Sequence, residues 1–121
     1  MKTIRSFKYA AEGVLLFFRY ERNGRVQLLA AVLTITLGLW LHITPAEWIA
    51  VLLCISAVFS LEMINTALEK LCNLIQPAYH PAVKVIKDIS AGAVLLSAVA
   101  SLIIGIIIFV PRIVLLFKTQ L

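Results

Sequence analysis

Ile89-Ser-Ala-Gly-Ala-Val-Leu-Leu-Ser-Ala-Val-Ala-Ser-Leu-Ile-Ile-Gly-Ile-Ile-Ile-Phe-Val110 carries no charged side chain from end to end. A helix needs about 20 apolar residues to cross the hydrocarbon of a bilayer, and this stretch supplies them alone. Two shorter apolar runs precede it, Leu28 to Ile43 and Trp48 to Leu61. The first reaches spanning length by taking in Val26 and Gln27, and the second by continuing through Met63, Ile64, Ala67 and Leu68. Thr44-Pro45 breaks the chain between them, with Pro45 at a first helical position.

Composition agrees. Apolar residues make up 62% of the 121 and charged residues 14%, with a mean hydropathy of +1.02. A soluble domain is nearer half apolar, so the chain belongs in a membrane. Its length allows one domain, residues 1–121, too small to enclose a large cavity of its own, which makes self-association the expectation. Cys54 and Cys72 stand eighteen positions apart with no histidine at ligand spacing and read as packing residues.

The first 25 residues differ in kind. Ile4, Phe7, Ala11, Val14, Leu15 and Phe18 recur at helical spacing, while Lys2, Arg5, Lys8, Glu12 and Arg19 fall mostly elsewhere. This pattern predicts an amphipathic helix lying in the membrane interface, where its basic residues meet anionic headgroups; nucleic acid is not an expected partner. The segment lacks the short apolar core of a cleavable signal, so insertion is expected to use the spans themselves. Pro77 and Pro81 bracket a connector that cannot stay helical. The expected organisation is all-α: an interfacial helix over 1–25, then membrane helices over 26–43, 47–75 and 83–110. Six Lys and Arg precede the first span and Lys70, Lys84 and Lys87 flank the second connector, whereas the loop from His42 to Trp48 has none. The amino terminus and second connector are therefore expected in the cytoplasm and the carboxyl terminus outside, with Arg112 and Lys118 as opposing charges.

Chemistry concentrates where the second span ends, Leu61-Glu-Met-Ile-Asn-Thr-Ala-Leu-Glu-Lys-Leu-Cys-Asn73. At about 100° per residue, Glu62, Asn65, Thr66, Glu69 and Asn73 share an arc of roughly 100° on one side of a helix. An acid directly after a long apolar run costs about 2.5–3.5 kcal/mol to insert near a bilayer's centre, a cost that usually marks function. Glu62 and Glu69 can divide labour, one deprotonating an alcohol near the membrane plane and the other, closer to water, holding a divalent cation. A stripe that only hydrogen-bonds between helices is the other reading. Lys84, Lys87 and Asp88 open the third span, and a lysine beside metal-binding carboxylates suits a phosphate; the same lysines also serve as ordinary topology-setting cations. Beyond them Ser97, Ser101 and Gly105 repeat at four-residue steps and form a small-residue face for close helix packing, within a chain or between chains. The sequence has no GxxxxGK[ST] loop, no GxGxxG and no HRD or DFG element, so any nucleotide must be held by helix ends and carboxylate-bound metal.

Glu62-Met-Ile-Asn-Thr-Ala-Leu-Glu69, His80-Pro81 and Lys87-Asp88 followed by Ala91-Gly92-Ala93-Val94 resemble the prokaryotic diacylglycerol kinase family, which includes the undecaprenol kinases. The similarity extends from Ser6-Phe7-Lys8 through Glu21-Arg22-Asn23 into the third span. It implies a homotrimeric kinase of the bacterial inner membrane that moves the γ-phosphoryl group of ATP, with Mg2+, to the hydroxyl of a membrane lipid alcohol, undecaprenol or diacylglycerol. Carried over by position, Glu62 is the general base and Asn65 positions the reacting groups. Glu21 and Glu69 bind the metal bridging the nucleotide phosphates, and Lys87, Asp88, Tyr9, Tyr79 and His80 contact nucleotide. Asn73 stands where the family usually has an aspartate, and an amide there leaves open a non-catalytic membrane scaffold of the same fold. The Pro-flanked connector leans toward the undecaprenol kinase branch.

Overall fold

A computed structural model describes residues 1–120, which form four helices: α1 (Lys2–Tyr20), α2 (Arg22–Leu41), α3 (Pro45–Ile75) and α4 (Pro81–Gln120). The last three are long and apolar enough to cross a membrane. Leu29, Leu53, Leu96 and Ile107 project outward from them with most of their surface exposed, as lipid-facing side chains do. The chain is a multi-pass membrane protein.

Local chemistry sets each boundary. The interfacial helix expected over 1–25 ends at Tyr20, because Glu21 turns extended (φ −104, ψ 117). Arg25, in the first turn of α2, donates to the carbonyl of Arg19 at 2.7 Å and so satisfies an end of α1 that has no further helical partner. Phe17 is buried over Gly24, and Phe18 meets Phe59 of α3 edge to face at 5.3 Å. These contacts fold α1 back against α2 and α3.

A Cβ on Gly24 would stand 2.6 Å from the Phe17 ring. The ring has little freedom to yield, being buried and packed against Phe18. Gly24→Val is therefore expected to lower the melting temperature in detergent, with a cost of about 1–3 kcal/mol for overpacking. Adding Phe17→Leu should recover part of it, whereas an unchanged melting temperature in the single variant would show that this contact does not hold the α1–α2 junction.

Between α2 and α3 the chain needs only three residues. His42 closes α2 in the left-handed region (φ 54), with its N–H bonded to Gly38. Thr44 then opens α3: its hydroxyl accepts from the Glu47 N–H at 3.2 Å, and the Glu47 carboxylate accepts from the Thr44 N–H at 2.9 Å. Pro45 occupies the first helical position, where no donor is missed.

α3 and α4 run antiparallel and make the main packing of the chain, with α2 touching α3 more lightly. Ile43, Val51, Ile108 and Phe109 form a buried cluster at the end nearest the α2–α3 loop. Glu47 is ion-paired there with Arg112 of α4. At the opposite end Lys87 of α4 donates to Asn73 of α3 at 2.6 Å. Nearly equal lengths of helix separate the two ties on α3 and on α4, so together they set the register of the pair.

α4 outruns the expected 83–110. Pro81 takes its first position, His80 caps it by accepting the Ala82 N–H on Nδ1 at 3.1 Å, and the helix continues through Pro111 to Gln120. Pro111 omits one backbone bond without ending the helix, as is tolerated in an apolar span, and Arg112 immediately beyond it is anchored on Glu47. Its 40 residues measure about 60 Å at 1.5 Å per residue, well beyond a hydrocarbon core of about 30 Å.

Candidate active site

The polar face of α3 is formed in part against its neighbours. Glu62 and Asn65 are buried, at 6% and 8% exposure, in a helix whose other flanks meet lipid. Asn23 of α2 reaches Glu62 Oε1 with its side-chain amide at 3.5 Å. One turn along, Asn65 donates from Nδ2 to Glu69 Oε1 at 3.3 Å. The face thus grades from a buried acid to an exposed one within two turns. One carboxylate shielded from water and another open to it are held on one rigid element.

Two acceptor oxygens in this region have no donor. Asn65 Oδ1 and Gln27 Oε1 are both buried without a hydrogen bond. Leaving a buried polar atom unpaired costs about 1–3 kcal/mol, and such a cost is tolerated where a ligand supplies the partner. Gln27 lies one helical turn from Asn23 and lines an apolar cavity of about 520 Å³ between α2, α3 and α4, walled also by Val51, Phe59, Ser101 and Phe109. The cavity reaches within a turn of the residue that touches Glu62.

The residues expected from sequence are distributed as follows. Glu62, Asn65, Thr66 and Glu69 lie along one side of α3, as the helical arithmetic requires. Glu21 sits at the α1–α2 break and pairs with Lys70 at 3.5 Å, so Lys70, the one polar residue between 61 and 73 that lies off the acidic face, binds the junction to α3. Asn73 joins Lys87, and Asp88 turns to Lys84 at 2.6 Å on the exposed side of α4. Tyr79, His80, Lys84, Lys87 and Asp88 line a cleft of about 330 Å³ at the connector. Tyr9 is exposed on α1 and joins none of these groups. Cys54 and Cys72 are both free thiols.

Sequence reasoning gave Asn23 no role, and the structure places it on Glu62. Its signal in the sequence is its place in the Glu21-Arg22-Asn23 stretch that takes part in the family resemblance. Among the described residues no three acidic, histidine or cysteine side chains converge on one point. Magnesium does not require that, since it takes one or two carboxylates and completes its shell with water and substrate phosphates. Glu69 is exposed and held from one side by Asn65.

Residues 8–109 match the prokaryotic diacylglycerol kinase family. The chain belongs to that family. It is 40% identical over 108 residues to the undecaprenol kinase of Bacillus subtilis (strain 168), covering 89% of this chain and 88% of the relative. It is 38% identical over 107 residues to the diacylglycerol kinase of Synechocystis sp. (strain ATCC 27184 / PCC 6803 / Kazusa), covering 88% of this chain and 61% of that protein, which is the longer of the two. Membership makes the chain a lipid kinase by class.

Proposed function

We propose that this protein is an ATP-dependent kinase of a membrane lipid alcohol, with undecaprenol ahead of diacylglycerol as acceptor. One observation carries the reading: the buried acid Glu62 and the exposed acid Glu69 stand on the same side of α3, and an apolar cavity between α2, α3 and α4 reaches Phe59, within a turn of Glu62. The preference for undecaprenol is supported by the fuller coverage of the undecaprenol kinase relative.

The acceptor's hydrocarbon enters the cavity between α2, α3 and α4, and its hydroxyl is presented to Glu62. Glu62 takes the hydroxyl proton as the alcohol oxygen forms its bond to the γ-phosphorus; the bond from that phosphorus to the β-phosphate oxygen breaks and ADP leaves. Asn23 holds the carboxylate from one side, and the open Oδ1 of Asn65 is free to accept from a bound group. Glu69, and Glu21 once released from Lys70, would hold Mg2+, which when bound neutralises charge on the nucleotide phosphates. Lys87 and Asp88 line the connector cleft that receives the nucleotide, with Tyr79 and His80 beside them. Tyr9 would reach nucleotide only by movement of α1.

The working assembly is a homotrimer in the bacterial cytoplasmic membrane, with the amino terminus and the site on the cytoplasmic side. The basic residues of α1 and of the second connector support that orientation. Gly92 is exposed on α4 with open space around it, which leaves that part of the helix available to a second copy. Purified protein in micelles holding equal amounts of undecaprenol and diacylglycerol, given ATP labelled at the γ-position, should place label in undecaprenyl phosphate first. Label in phosphatidic acid alone would reverse the acceptor, and folded trimer that labels neither would favour the scaffold.

A further inference from the structure

Lys87 differs from the other lysine of the connector cleft in what holds it. Lys84 is paired with the Asp88 carboxylate at 2.6 Å, so its charge is matched within one turn. Among the described residues no carboxylate pairs with Lys87. Its ammonium is instead held at 2.6 Å by the amide oxygen of Asn73, across the α3–α4 packing. An ammonium has three donors and no acceptor, so the contact also settles which way the Asn73 amide points. A neutral oxygen restrains the lysine and removes none of its charge.

We propose that Asn73 is a positioning residue that fixes Lys87 while keeping its full positive charge available to a polyphosphate in the cleft. The phosphate's identity as that of ATP rests on the kinase reading above; the tether does not. With Lys84 matched by Asp88, Lys87 is the unmatched cation of the cleft, and two of its three donors remain for phosphate oxygens. A carboxylate at position 73 would accept the same hydrogen bond and convert it to an ion pair, drawing the ammonium's field away from the ligand. The family resemblance points the opposite way for the same substitution, because an acid at this place would add negative charge for metal and strengthen binding. The two accounts therefore separate on a single isosteric change.

The test measures Mg-ATP binding directly, by calorimetry on the detergent-solubilised full chain, beside KM and kcat for lipid phosphorylation. Asn73→Asp is expected to weaken Mg-ATP about three- to fivefold, the scale of one exposed ion pair, with kcat at saturating ATP within about twofold of native. The loss should shrink at high salt. It should vanish when Asn73→Asp is made in a Lys87→Met background, a result that a merely structural role for Asn73 would not produce. Tighter or unchanged Mg-ATP binding in Asn73→Asp overturns the proposal, as does an equal loss with and without Lys87. A native chain that binds Mg-ATP but phosphorylates no lipid would sink the kinase reading and leave the tether to be judged on binding alone; a native chain that does not bind Mg-ATP refutes both.

Discussion

Glu62→Gln should cut lipid phosphorylation by about a hundred- to ten-thousandfold, the usual contribution of a general base, while Mg-ATP still binds with near-native affinity. The split follows from where Glu62 sits. It is buried, touches Asn23 of α2 and is not among the side chains lining the connector cleft, so its removal takes away the proton acceptor while leaving in place the groups that hold the nucleotide. Glutamine keeps the shape and can still hydrogen-bond the Asn23 side chain, so a folded protein with an unchanged melting temperature is expected. Single-turnover phosphorylation at saturating ATP makes the comparison cleanly. Near-native turnover in this variant would remove the base from Glu62.

Glu69→Gln should behave differently. Its carboxylate is exposed and fixed by Asn65 Nδ2, a position from which it can meet a hydrated cation and not the alcohol. Loss of a metal-binding carboxylate is expected to weaken Mg-ATP by at least about 10–100-fold, the range seen even for groups that only orient metal ligands. Raising magnesium should restore part of the activity in Glu69→Gln and none in Glu62→Gln. Magnesium titrations of both variants at fixed ATP separate the roles. If magnesium has the same effect on each, the division of labour along α3 is wrong.

Much of this arrangement was readable in the residues. Hydropathy alone located α2, α3 and α4, because a bilayer demands long apolar helices and little else. Pro45 opens α3 at the first helical position expected of it, whereas α4 opens at Pro81, two residues before the expected start at 83. The break at Glu21 was hidden, since the residues on both sides are compatible with helix. What ends α1 there is Arg25 reaching back to its last carbonyls and Phe17 seating over Gly24, and both are contacts between helices. The end of α4 was not readable either: the span expected to close at 110 runs on to Gln120, where the Arg112–Glu47 pair holds the helix beyond Pro111 against α3.

The site divides along the same line. Spacing of 100° per residue by itself puts Glu62, Asn65 and Glu69 on one side of α3, because a helix fixes relative directions along itself. It could not say that Asn23 would meet Glu62, that Lys70 would pair with Glu21, or that Asn73 would take Lys87. Each is a meeting of two helices whose register depends on packing.

Sealed membrane vesicles of known orientation, carrying the protein and undecaprenol, provide the decisive measurement when γ-labelled ATP is supplied on one side only. Transfer of label to the lipid is expected when the nucleotide reaches the side bearing α1 and the α3–α4 connector, and not when it is confined to the side of the α2–α3 loop. Transfer from the loop side, or from neither side in folded protein, would contradict the placement of Glu62 and Glu69 where a lipid alcohol meets dissolved ATP.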